Sequence, residues 1–237
     1  MTETQLPLDL SPDPRLGRAE FLPAPSNAAG LFAVDNWRDW PNHRMLLCGP
    51  LGAGRTHLAA IWARDTGAAM LSGARLETPP APAPAYVVDD AHLVAGHPAR
   101  EEMLFHLFNR VTAARAPLLL TAPDTPGTWG LALPDLLSRM LTLAVTRIDA
   151  PNDTLLQMAL VKLFDDRQVP VTPETITYLT RRLDRSLSTA ERVVEALDRA
   201  SLSRQKRISR VMAAQVLEDP DAFLALSGPD AEDTDAP

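Results

Sequence analysis

Three short apolar runs along the chain predict buried strands, over residues 45–48, 85–88 and 118–121. Residues 56–63 and 101–114 are predicted helices, and a proline-rich stretch over residues 79–84 is a predicted surface loop. Because strands alternate with helices, this pattern favours an α/β fold with a parallel sheet that is covered on both faces.

The pattern changes at about residue 150, after which no strand is predicted. Helices are predicted over residues 153–164, 172–182, 189–202 and 209–218. The sequence therefore predicts four parts: a polar tail over residues 1–20, an α/β domain over residues 21–150, a small all-helical domain over residues 151–219, and an acidic tail over residues 220–237.

Composition narrows the classes of function. The formal net charge of -7 argues against broad attraction to nucleic acid or anionic lipid, so we expect no direct sequence-specific DNA binding. The single cysteine, Cys48, excludes an internal disulfide framework and fits a reducing compartment. No stretch has the pattern of a signal peptide or of a membrane span, so we expect a soluble cytoplasmic protein without a membrane partner.

The segment GPLGAGRT, residues 49–56, follows a predicted strand and opens a predicted helix, which is the context of a phosphate-binding loop. Its glycines allow backbone N–H groups to turn inward, and its threonine is positioned to bind Mg²⁺. Arginine stands where lysine is usual; it keeps the charge but presents a wider planar group. A glycine-rich turn without a ligand is the alternative. The candidate nucleotide-binding residues are Gly49, Gly52, Ala53, Gly54, Arg55 and Thr56.

Two carboxylates, Asp89 and Asp90, end the second predicted strand. Asp89 is a candidate to hold Mg²⁺ together with Thr56. Asp90 lies where a glutamate would orient the attacking water, and it is shorter by one C–C bond. Because Arg55 and Asp90 both depart from the usual pattern, we expect slow intrinsic hydrolysis. The alternative is a helix cap or a solvated turn.

The segment GPLGAGRTHL, residues 49–58, resembles the phosphate loop of the replication initiator DnaA and its relatives, and within that group the Hda-type regulators that inactivate DnaA. Three further segments are similar: FLPAPSN over residues 21–27, with Ala24 in place of a glycine; LALPDLLSRM over residues 131–140; and LDRAS over residues 197–201. The resemblance spans residues 5–218. It implies a AAA+ core with a helical lid, and ADP or ATP bound with Mg²⁺ between them.

The same resemblance implies roles for individual residues. Asn27 would contact adenine, and Thr121 and Asp124 are candidates for the polar sensor of the γ-phosphate. Ser188 aligns with the second sensor arginine of the family, so Arg192, one helical turn further on, is the candidate substitute. Arg139 matches an arginine finger that reaches ATP bound by a neighbouring molecule.

The N-terminal tail also matches the family. Its sequence QLPLDL resembles a sliding-clamp-binding motif, in which leucines fill an apolar pocket and a glutamine forms hydrogen bonds. The matching residues are Gln5, Leu6, Leu8 and Leu10. A basic run, comprising Arg204, Lys206, Arg207 and Arg210, is interpreted as a solvated helix face rather than a DNA site.

Together these features predict a negative regulator of replication initiation, with the sliding clamp and DnaA as partners and self-association possible. It would promote hydrolysis of DnaA-bound ATP in trans. Two alternatives stay open: a self-sufficient AAA+ ATPase, such as a helicase loader or a transposition helper, and a clamp-binding adaptor with a vestigial nucleotide site.

Overall fold

The structure is a computed structural model, and it describes residues 16–225. A five-stranded parallel sheet has the order β2-β3-β4-β1-β5, so the first strand lies between the fourth and the fifth. The strands are β1 (Arg44–Cys48), β2 (Ala69–Ser72), β3 (Tyr86–Asp89), β4 (Leu118–Ala122) and β5 (Ala144–Arg147). The parallel sheet predicted from the alternation of strands and helices is therefore present.

Helices cover the sheet and then continue alone to the end of the described chain. The helices that accompany the sheet are α1 (Ala28–Asp35), α2 (Arg55–Thr66), α3 (Pro98–Ala114) and α4 (Pro134–Met140). Those that follow it are α5 (Asp153–Asp166), α6 (Pro173–Thr180), α7 (Leu187–Arg204), α8 (Arg210–Glu218) and α9 (Pro220–Leu224). Within residues 16–225, no helix combines the length and the hydrophobicity needed to cross a bilayer.

The core is divided between the two faces of the sheet and the helical part. One cluster packs α3 against strand residues such as Leu46, Val88 and Leu120. A second packs α2, including the fully buried Trp62, against the other face. A third holds α5 to α8 together around Leu160, Phe164 and Leu197. The burial of both sheet faces explains why β1, β3 and β4 are continuous apolar runs.

The structure contains elements that the apolar pattern did not predict. Strands β2 and β5 flank the sheet, and their residues alternate between partly buried and exposed, so neither forms an apolar run. Helices α1 and α4 were also not predicted. Helix α9, which the sequence did not predict, lies at the start of the predicted acidic tail, and the Asp219 side chain caps it.

Candidate nucleotide-binding site

The phosphate loop connects β1 to α2 and is shaped by glycines. Gly52 and Gly54 have φ values of +74° and +99°, a region that residues with a side chain rarely adopt. Gly54 occupies the N-cap position of α2, and no side chain of the described residues caps the start of that helix. The first N–H groups of α2 therefore lack a side-chain acceptor, which is the arrangement that binds anions at helix N-termini.

Three oxygen-bearing side chains meet beside this loop. The Thr56 hydroxyl donates to one oxygen of the Asp89 carboxylate at 2.9 Å, and the Thr121 hydroxyl donates to the other at 2.6 Å. The Asp90 backbone N–H in turn donates to the Thr121 hydroxyl at 2.8 Å. The network thus joins the start of α2 to the ends of β3 and β4.

The donor set fits a magnesium ion that is shared with a phosphate. Residues 16–225 contain no cluster of three or more His, Cys, Asp or Glu side chains able to hold a metal. Mg²⁺ bound with nucleotides, however, needs only one or two protein oxygens, because phosphates and water complete its octahedron. A hydroxyl and a carboxylate at 2.9 Å, as in Thr56 and Asp89, are such a pair.

Arg55 is buried at the start of α2, with only 6% of its surface exposed. Its Nη2 donates to the Asp90 carboxylate at 2.9 Å. Its Nη1 is buried without a hydrogen-bond partner in the described chain. Because an unpaired buried cationic donor is costly, this nitrogen marks a position where an anion would be stabilised.

Asp90 is turned away from the strand by a left-handed backbone conformation, with a φ of 48°. This turn brings its carboxylate to Arg55 and within 3.9 Å of His92 Nδ1. Burial lowers the pKa of His92, and the Asp90 carboxylate opposes that shift. The Asp90 carboxylate is therefore already engaged by a guanidinium.

The two candidates for the polar sensor lie in different surroundings. Thr121 is fully buried within the network around Asp89. Asp124 lies at the surface, with Oδ1 3.4 Å from the Arg147 guanidinium. The Thr125 backbone N–H and, secondarily, Arg147 lower the pKa of Asp124. The structure brings Thr121 and Asp89 together, whereas Asp124 pairs with β5.

The segment before α1 packs beside the phosphate loop. Asn27 is 1% exposed, and its side-chain amide forms hydrogen bonds with the backbone. The amide oxygen accepts from the Ala24 N–H, and the amide nitrogen donates to the Leu22 carbonyl. The rings of Phe21 and His57 pack edge to face, with their centroids 5.2 Å apart. Burial lowers the pKa of His57. Asn27 thus fixes this segment, and its predicted contact with adenine stays a prediction.

The helical part contacts the phosphate loop directly, a contact that the sequence did not predict. The Leu187 N–H donates to the Gly52 carbonyl at 2.9 Å. Ser186, the side-chain N-cap of α7, lies so close that a Cβ on Gly52 would be 2.1 Å from its Oγ. Arg192 is exposed and forms an ion pair with Asp221 of α9, so its predicted role as a sensor stays a prediction.

Arg139, the predicted finger, projects from α4 onto α3. Its Nε donates to the Asn109 side chain at 2.9 Å, its Nη1 donates to the Asp135 carbonyl at 3.1 Å, and its guanidinium lies over the Phe105 ring at 4.5 Å. No carboxylate within residues 16–225 pairs with it. The guanidinium is therefore oriented by neutral groups and keeps an uncompensated charge.

A buried carboxylate, which sequence reasoning missed, sets the position of α4. Glu101 is 1% exposed and accepts hydrogen bonds from the backbone N–H groups of Gly96, Ala132 and Leu133. Leu133 is the residue immediately before α4. The only sequence signal was a charged residue at the start of a predicted helix. The clamp-motif residues Gln5, Leu6, Leu8 and Leu10 lie outside the described residues.

Comparison with known proteins establishes the fold. The chain superposes on domain III of DnaA from Thermotoga maritima with a TM-score of 0.73 and 15% identity, covering 87% of this chain and 97% of that one. DnaA bound to AMPPCP and single-stranded DNA gives 0.62 at 16% identity, covering 92% and 76%. The RuvB Holliday junction branch migration motor of T. maritima gives 0.56 at 18%, covering 81% and 66%. The molecule has the AAA+ fold.

Sequence comparison is less informative. No known family model matches the chain. An uncharacterised protein of Haemophilus influenzae is 30% identical over 131 residues, which are 55% of this chain and 57% of that protein. The chain thus spans little more than half the length of that curated relative. The fold is the AAA+ fold in the form that DnaA domain III displays.

Proposed function

We propose that this protein is a DnaA-related AAA+ regulator of replication initiation. It binds adenine nucleotide with Mg²⁺ at its own phosphate loop, and it promotes hydrolysis of ATP that is bound to DnaA. The likeness of its fold to DnaA, which has been solved with AMPPCP, supports the first part. The match of its sequence segments to the Hda-type regulators supports the second.

The nucleotide serves chiefly as a structural ligand, and we propose ADP. The uncapped start of α2 and the unpartnered Nη1 of Arg55 offer phosphate contacts. Hydrolysis, in contrast, needs a group that is free to orient water. Asp90, the residue in that position, is held by Arg55 at 2.9 Å.

The observation that supports the proposed action in trans is the unpaired charge of the Arg139 guanidinium. Its guanidinium has no carboxylate partner in the described chain, and Asn109 and Phe105 hold it at the side of α3. A guanidinium supplied to a neighbour's ATP stabilises the charge on the transferring phosphoryl group. Orientation by neutral groups leaves its full charge for that purpose.

The N-terminal motif completes the proposal. Gln5, Leu6, Leu8 and Leu10 would bind the DNA-loaded sliding clamp, which would raise the local concentration of the regulator where DNA is being replicated. Hydrolysis of DnaA-bound ATP would then follow replication itself.

The test measures hydrolysis of DnaA-bound ATP with and without this protein and DNA-loaded clamp. We expect stimulation by the wild type, and a loss of at least about tenfold for Arg139→Ala. The matched control is Arg199→Ala, which removes an arginine already paired with Glu195. Gln5→Ala/Leu6→Ala should lower stimulation only when clamp is present. Equal stimulation by Arg139→Ala and Arg199→Ala would exclude the finger.

The intact network of Thr56, Asp89 and Thr121 favours a second candidate, a self-sufficient AAA+ ATPase. Turnover of ATP by the purified protein alone separates the two. Brisk turnover that Asp90→Asn abolishes would support the ATPase and would contradict the assignment of a structural nucleotide.

A further inference from the structure

A groove of about 440 Å³ opens between α6 and α8, on the helical part of the molecule. Three of the residues that line it are arginines: Arg181 and Arg182, directly after α6, and Arg210, the first residue of α8. Tyr178 forms part of its wall. These three arginines and Tyr178 are called the arginine groove below.

Two of the guanidiniums are held in place by the tyrosine ring. The guanidinium of Arg182 lies 4.2 Å from the centroid of the Tyr178 ring, and that of Arg210 lies 5.0 Å from it. The two charges are therefore within about 9 Å of each other, whichever side of the ring each one occupies. Stacking reduces the side-chain freedom that a ligand would otherwise have to remove.

The groove carries an excess of positive charge. No carboxylate within residues 16–225 forms an ion pair with Arg181, Arg182 or Arg210, whereas Arg100 and Arg199 pair with Glu77 and Glu195. One carboxylate, that of Glu174, lines the groove. Three clustered cations against one anion form a positive region in a chain whose net charge is -7.

The sequence did not reveal this cluster. Arg204 and Arg210 belong to the basic run that was expected to form a solvated helix face. Arg204 stacks on Phe223 and donates to the Gln215 side chain, so it contributes to the packing of the helical part. Arg210 instead joins two arginines that lie about 28 residues earlier in the chain. Only the packing of α6 against α8 brings them together.

We propose that the arginine groove binds the phosphate backbone of duplex DNA without reading its sequence. A guanidinium matches a phosphate in a bidentate geometry, and backbone contacts carry no sequence information. A single strand would need an aromatic ring on which bases stack, but the Tyr178 ring is already covered by guanidiniums. A neutral peptide would need a strand edge or an apolar groove, and the lining side chains other than Pro173 are charged or bear a hydroxyl. An acidic or phosphorylated peptide is the competing ligand that the experiment below distinguishes from DNA.

This contact goes beyond the proposed function and depends on neither Arg139 nor the nucleotide site. It would keep the helical part against DNA when the protein works there. Because the whole chain is acidic, the contact is weak and sensitive to salt. It differs from the sequence-specific DNA binding that the composition argues against.

The experiment measures binding of the full-length protein to a short fluorescent DNA duplex by anisotropy, over a series of salt concentrations. Replacing Arg181, Arg182 and Arg210 together by glutamine should weaken binding at low salt at least about tenfold. It should also reduce the slope of log K against log[salt] by about 2 to 3. Arg181→Gln alone, which removes no contact with Tyr178, should reduce that slope by about 1.

The matched control replaces Arg18, Arg100 and Arg199 by glutamine, because it changes the net charge equally but removes arginines that carboxylates already neutralise. We expect it to bind the duplex like the wild type. Equal losses in the two triple variants, or no loss in the groove variant, would overturn the proposal. Tighter binding of a phosphopeptide or of polyglutamate than of the duplex would also overturn it.

Discussion

Asp89 and Asp90 are neighbours in the chain, but the backbone gives their carboxylates different partners. Asp89 ends β3 and accepts from Thr56 and Thr121. Asp90 has a left-handed φ and therefore turns towards Arg55. In the proposed nucleotide site, Asp89 would bind the metal, whereas Asp90 positions the guanidinium of Arg55.

Replacing each aspartate by asparagine separates these needs, since the two changes alter charge and shape equally. Asp89→Asn should remove most of the gain in nucleotide affinity that Mg²⁺ provides, a loss of about 10- to 100-fold when Mg²⁺ is present. Asp90→Asn should keep the dependence on Mg²⁺. Titration of a fluorescent ADP analogue with and without Mg²⁺ tests both variants. An equal Mg²⁺ effect in the two variants would contradict the assignment of Asp89.

Side chains of α3 fix the position of helix α4. Three side chains at one-turn intervals on α3 contact α4 or the residues before it. Glu101 accepts hydrogen bonds from the backbone that precedes α4, Phe105 lies under the Arg139 guanidinium, and Asn109 accepts from Arg139. The spacing of four residues places all three on one face of α3. The orientation of the Arg139 guanidinium is therefore a property of this pair of helices and not of Arg139 alone.

Glu101→Gln tests that dependence through stability. The substitution replaces one acceptor oxygen of a fully buried carboxylate by a donor that faces backbone N–H groups. We expect the free energy of unfolding to fall by about 2 kcal/mol. The adjacent Glu102 is 70% exposed, and within residues 16–225 its one ion pair is with His106, so Glu102→Gln should cost less than about 0.5 kcal/mol. Urea denaturation measures both, and indistinguishable midpoints would refute the role of Glu101.

The elements also show how far sequence reasoning reached. The apolar runs of β1, β3 and β4 and the phosphate loop were predictable, because each is a signal contained in a few consecutive residues. Strands β2 and β5 were not, since their partial burial depends on neighbours in the sheet. The role of Glu101 was not predictable, because its carboxylate accepts hydrogen bonds from backbone N–H groups 31 and 32 residues further along the chain.

At the scale of the whole molecule, the helical part and the sheet meet at the phosphate loop. The N-terminus of α7 rests on Gly52 through the bond from Leu187, and Ser186 fills the space where a side chain at Gly52 would lie. A nucleotide bound at the loop would thus adjoin the point where the two parts touch. The glycine is required here for two reasons, its positive φ and the close approach of Ser186.

Gly52→Ala should therefore disturb both the fold and the site. A Cβ would lie 2.1 Å from Ser186 Oγ and 2.9 Å from Ser186 Cα, so α7 must move away from the loop. We expect a loss of about 1–3 kcal/mol in the free energy of unfolding and weaker binding of nucleotide. Gly127→Ala is the matched control: Gly127 has no atom within 4 Å of such a Cβ and no positive φ, and the change should stay within about 0.5 kcal/mol. Denaturation by urea and titration with nucleotide test both variants, and equal stability of the two would mean that α7 does not rest on the loop in solution.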